Sequence, residues 1–96
     1  MTATPAQVAN DMAAQAKYWS GRDMEIETAC ILAAKVIRDF LSEAPPAHYN
    51  VRGALDRLQI LIGKPRYFAG NEMIFNSIIR AEATIRALRD GGAKPQ

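Results

Sequence analysis

Residues 58–62 read LQILI, inside the longer stretch VRGALDRLQILIG at 51–63. The fold class turns on how this stretch is read. A short apolar run alone suits a buried strand as well as a helix. Its flanks decide: Val51, Ala54, Leu55, Leu58 and Leu61 or Ile62 recur at helical spacing, and no other segment offers a strand partner. The spacing predicts a helix over 51–62, and a chain without strands is all-α.

Downstream, Gly63 and Pro65 stop this helix. The connection at 63–70 carries Lys64, Arg66, Tyr67 and Phe68 between two glycines. A fourth helix then runs from Gly70 or Asn71 to about Asp90. Ile74, Ile78, Ala81, Ile85 and Leu88 line one face of it, and Phe75 and Ile79 add a flanking strip. Glu82 and Arg86 form a correctly oriented i,i+4 pair, and Gly91 suits the position just past the helix end.

Upstream, Pro45 and Pro46 interrupt the chain in APPAHYN at 44–50, where Asn50 is the expected cap of the 51–62 helix. Before them a long helix is expected over Gly21–Glu43. Its apolar stripe is Ile26, Cys30, Ala33, Ile37 and Leu41, widened by Ala34 and Phe40. Ser20 and Asp23 read as a capping box there, and Trp19 and Met24 as a hydrophobic staple that buries the indole at the corner. The first helix is expected over Pro5–Trp19. Thr4 and Gln7 form its capping box, and Val8, Met12, Ala16 and Trp19 share its inner face.

The expected architecture is a single all-α domain over residues 1–96, a compact bundle of four helices with frayed tails at 1–4 and 91–96. The apolar arc of the fourth helix is wider than a surface helix needs. Either that helix runs through the middle of the fold, or a second copy of the chain covers a strip around Phe75 and Ile79 in a homodimer.

The chain has 96 residues and a formal net charge of +2, too small to imply nucleic acid by itself. The charge is uneven. Residues 1–49 hold four basic against six acidic side chains, and residues 50–96 hold eight against four. Cys30 is the only cysteine, which forbids an intrachain disulfide and fits a reducing cytoplasm. The first residues lack a secretory-signal pattern, and no apolar run of about 18 residues predicts a membrane span.

Chemistry-bearing groups are few. His48 is the only histidine and reads as an exposed connector residue. Cys30 sits between Ala29 and Ile31 on an apolar face and reads as a small buried hydrophobe. One histidine and one cysteine make no zinc site. Asp23, Glu25 and Glu27 suit the positive end of a helix better than a cation. The segment GKP lacks the rest of a phosphate-binding loop. No catalytic residue, metal or cofactor is expected.

A helix-turn-helix needs a shorter turn than 63–70 and a more polar second helix than NEMIFNSII. Two readings of the 63–70 loop remain. In one, Lys64, Arg66 and Tyr67 face a partner while Phe68 anchors the loop, with Arg52 and Arg57 extending the basic surface. In the other, the rings tuck inward and the cations are solvated. The function expected from these features is a non-catalytic interaction or regulatory protein that binds or occludes a macromolecule, foremost another protein. The alternatives are a nucleic-acid-binding accessory protein using the basic half, or a phage- or mobile-element-encoded inhibitor of a nucleic-acid-handling machine such as a defence nuclease.

Overall fold

The computed structural model describes residues 3–92, so the tail expectations for 1–2 and 93–96 lie outside the described residues. It contains four α-helices: α1 (Pro5–Trp19), α2 (Met24–Leu41), α3 (His48–Ile62) and α4 (Glu72–Ala87). A 3-10 turn at Pro65–Phe68 lies within the α3–α4 connection, and a wider helical turn, Leu88–Gly92, follows α4. No strand occurs among the described residues, and LQILI is helical. The protein is an all-α bundle.

Each helix packs on its neighbours in sequence, α1 closes the ring against α4, and α2 meets α4 across the middle. Arg38, late in α2, donates to the Asn10 side chain, early in α1, at 3.1 Å. On α3, Gln59 donates to Glu82 of α4 at 3.3 Å. The end of α1 lies beside the start of α4, and the start of α3 beside the end of α4. Lys64, just past α3, lies beside Glu25 in the first turn of α2. Successive helices therefore run up and down. One end of the bundle gathers the C-termini of α1 and α3 with the N-termini of α2 and α4. The other end gathers the remaining four termini.

The core follows the expected stripes. Val8, Met12, Ile26, Ile37, Leu58, Leu61, Ile78 and Ile85 are buried in one continuous cluster. Removing such area from water stabilises by roughly 25 cal/mol per Å². Ala9, Ala16, Ala29, Ala33 and Ala34 are buried too, and side chains this small let α1 and α2 pack along their whole length. Val36 and Ala29 widen the inner face of α2 beyond the predicted stripe, because α2 touches all three other helices. Leu41, expected in that stripe, is half exposed: it is the last residue of α2 and projects past the core.

The helix ends depart from expectation at three places. The capping box at Thr4 forms, with Gln7 N donating to Thr4 Oγ1 at 3.2 Å and Thr4 N to Gln7 Oε1 at 2.8 Å. The second box does not. Ser20 closes α1 instead, Gly21 turns the chain at φ +79°, and Asp23 caps α2 by accepting from Ile26 N at 3.0 Å. The predicted staple is lost with it: Met24 becomes the first helical residue and is 80% exposed, and Trp19 is only partly buried. A positive φ suits glycine, so the corner forms at Gly21 and α2 starts three residues later than predicted.

The α3 helix starts three residues earlier, at His48. Its cap is Ala47, whose carbonyl accepts from Asn50 N at 3.0 Å and Val51 N at 3.2 Å. Asn50 is thus inside the first turn, and His48 is helical rather than part of the connector. Regular α-helix ends at Ala87 in α4, short of Asp90, and Gly91 terminates the following turn at φ +112°.

Candidate functional site

The site is built at the end of the bundle where α1 hands over to α2. Trp19 O accepts from both Arg22 N at 2.9 Å and Asp23 N at 3.0 Å, which closes the Ser20–Asp23 corner. Arg22 folds back so that its Nε donates to Tyr18 O at 2.9 Å and its guanidinium lies over the Tyr18 ring, 4.6 Å from the centroid. Tyr18 meets Trp19 edge to face at 5.2 Å. Such contacts fix rings without burying them fully.

The 63–70 loop docks on this corner. Phe68 is buried and packs on Phe75 of α4 with ring centroids 5.0 Å apart. Tyr67 stacks edge to face on Phe68 at 5.4 Å and donates its hydroxyl to Asp23 Oδ2. Asp23 therefore serves two elements, capping α2 with one oxygen and holding the loop with the other. Lys64 Nζ lies 3.6 Å from Glu25 Oε2. The hydrogen bond to Asp23, with desolvation and the charges of Asp23 and Glu25 adding to it, raises the Tyr67 hydroxyl pKa above its ordinary value.

Beside this corner a groove of about 460 Å³ opens between α1 and the start of α4. Tyr18, Trp19, Met73 and Ile74 supply its apolar walls, and Gln15, Asn71 and Glu72 its polar rim. Its size falls within the range of about 300–1,000 Å³ usual for binding pockets. Tyr18 is 57% exposed and Met73 81% exposed. The Trp19 indole N–H is buried without a hydrogen-bond partner, an arrangement that costs about 1–3 kcal/mol.

Neither a family model, nor a curated protein, nor a solved structure matches this chain.

The residues singled out from sequence divide between the two ends. Lys64 and Tyr67 sit on the α1–α2 corner, with Arg66 exposed beside them on the same turn. Arg52 stands at the opposite end, in a cleft with Arg86 and Arg89, so it does not continue the surface of the loop. Arg57 is exposed on α3. Phe75 is partly buried against Phe68, and Ile79 is exposed on α4.

Sequence reasoning missed Tyr18 and Met73. Their signal was available: both are large apolar residues off the inner stripe of their helix, as Met73 is off the stripe that begins at Ile74. Cys30 is buried, and its thiol pKa is pushed up to about 12 by burial and then by the charge of Asp11, so it stays protonated. Among the described residues no three His, Cys, Asp or Glu side chains come together to hold a metal. No described helix is long and apolar enough to cross a membrane.

Proposed function

We propose that the protein is a small non-catalytic binding protein that docks another protein on the aromatic end of its bundle and acts by occluding that partner's surface. The observation that carries this reading is the groove between α1 and α4, with Trp19 inside it and exposed Tyr18 and Met73 on its walls. Tryptophan, tyrosine, methionine and arginine are the residue types enriched at protein interfaces, and tryptophan, tyrosine and arginine supply most binding hot spots. Met24, and Tyr67 at 51% exposure, lie at the same end and extend the apolar surface. Cation–π and edge-to-face contacts hold Tyr18, and the Asp23 hydrogen bond holds Tyr67, so little side-chain entropy is lost on docking. The partner this surface fits presents an apolar or aromatic side chain that enters the groove. A reducing compartment such as the cytoplasm suits the lone Cys30.

The test is a quantitative pull-down with wild-type protein and the Met73→Glu and Tyr18→Ala variants, followed by direct binding measurements with each protein retained. The expected result is a partner whose affinity falls at least about tenfold in each variant, a loss of about 1.4 kcal/mol. Equal affinity for wild type and both variants overturns the reading. Light scattering across a dilution series identifies the case in which the partner is a second copy of this chain.

A further inference from the structure

The opposite end of the bundle carries a separate cleft of about 230 Å³ between the first turns of α3 and the last turns of α4. Arg52 enters it from α3, Arg86 from the last turn of α4, and Arg89 from the Leu88–Gly92 turn that follows. We infer that this cleft binds a phosphate group.

Three arginines, from α3, α4 and the turn after α4, face one small space, and a planar guanidinium fork matches a phosphate's oxygens. The floor beneath them is apolar: Val51 and Leu55 are buried. Carboxylates are present as well: Asp56 lines the same cleft one turn after Arg52, and Glu82 and Asp90 orient Arg86 and Arg89. Arg86 directs its Nε to Glu82, which also accepts from Gln59. Arg89 donates through Nε and Nη2 to Asp90 at 2.8 and 3.3 Å. Each pairing holds one edge of a guanidinium and leaves donors on the other edge.

Arg52 makes no ion pair among the described residues, although Asp56 stands one turn along α3. Its whole fork is available. The N-terminus of α3 opens onto the same cleft, with His48 as its first residue and a cap, Ala47, that offers no side-chain acceptor. The positive end of that helix dipole adds to the attraction.

The phosphate comes either from a small free species such as diphosphate or from the terminus of a nucleic-acid strand, and the experiment separates the two. Sodium pyrophosphate is titrated into ¹⁵N-labelled protein at constant ionic strength and followed by two-dimensional NMR. Saturable shifts are expected in the amides of residues 48–52 and in the Nε–H signals of Arg52, Arg86 and Arg89. Arg52→Gln should weaken binding at least about tenfold, Arg52→Lys should restore part of the loss, and Arg80→Gln, away from the cleft, should change nothing. A 5′-phosphorylated trinucleotide that shifts the same signals, while its unphosphorylated twin does not, assigns the phosphate to a strand terminus. Response to pyrophosphate alone assigns it to a free ligand. Equal binding of both trinucleotides overturns the inference in favour of general polyanion attraction. So does the absence of saturation up to roughly 10 mM pyrophosphate, a concentration that would reveal even a millimolar site.

Discussion

Trp19 shows how one side chain serves both packing and surface. Its ring packs against the core and lines the groove, while its indole N–H is buried without an acceptor. Truncation and isosteric replacement should therefore separate. Trp19→Ala removes apolar contacts and should cost up to about 3–5 kcal/mol. Trp19→Phe keeps a ring and deletes the unpaired donor, so its cost in chemical denaturation should stay below about 1.5 kcal/mol. Equal losses for the two variants would show that the full indole packs the corner and that a smaller ring cannot replace it. Tyr67 offers a second residue-level test through pH. Its hydroxyl donates to Asp23, so its folded-state pKa is raised above the ordinary value near 10. The folded state then holds that proton more tightly than the unfolded state. The stabilisation is complete below the unfolded pKa and is lost as pH rises through the folded one. Wild-type stability should fall above about pH 10, and Tyr67→Phe should flatten that part of the profile. An unchanged slope in the variant would mean that the hydroxyl is not held by Asp23 in solution.

Helices and their ends were legible to different degrees, for a physical reason that differs at each end. The inner stripes of all four helices depend on periodicity summed over many residues, and Ile74, Ile78, Ala81, Ile85 and Leu88 are all buried as their spacing predicts. A cap depends on one residue's backbone angles, and two good capping residues competed at the α1–α2 corner. Ser20 and Asp23 both fit, and the left-handed Gly21 between them gave the cap to Asp23. At α3 the sequence offered Asn50, yet the backbone carbonyl of Ala47 starts the helix one turn earlier with no side chain involved. The contacts of the 63–70 loop were out of reach for another reason. Lys64 meets Glu25 and Tyr67 meets Asp23 across about forty residues, and no local pattern encodes such pairs. The bare cap at Ala47 makes a prediction at this scale. Ala47→Asp supplies an acceptor for the first-turn N–H groups and a charge that suits the dipole. It should raise stability by about 0.5–2 kcal/mol in thermal or urea unfolding. A loss of stability would mean that these N–H groups are already satisfied.

At the scale of the whole molecule, the bundle separates two surfaces of opposite character. The aromatic groove is formed by α1 and the start of α4, and the arginine cleft by the start of α3 and the end of α4. The α4 helix contributes to both, with Met73 in its first turn and Arg86 in its last. At 1.5 Å per residue, thirteen residues place these two positions about 20 Å apart along the axis. That exceeds the range of roughly 7–10 Å over which substitutions usually couple. The two sites should therefore be energetically independent unless α4 itself shifts on binding. A Met73→Glu, Arg52→Gln double variant tests this directly. Its loss of folding stability should equal the combined single losses to within about 0.5 kcal/mol. Pyrophosphate affinity should match that of Arg52→Gln alone, and partner affinity that of Met73→Glu alone. Cross-effects beyond that margin would identify α4 as a connecting rod between the sites, since it touches every other helix of the bundle. The same effects would then have to be reciprocal, because a coupling free energy between two ligands is the same whichever binds first. Pyrophosphate would change partner affinity by the same factor as the partner changes pyrophosphate affinity, and calorimetry of each ligand in the presence of the other would measure that factor.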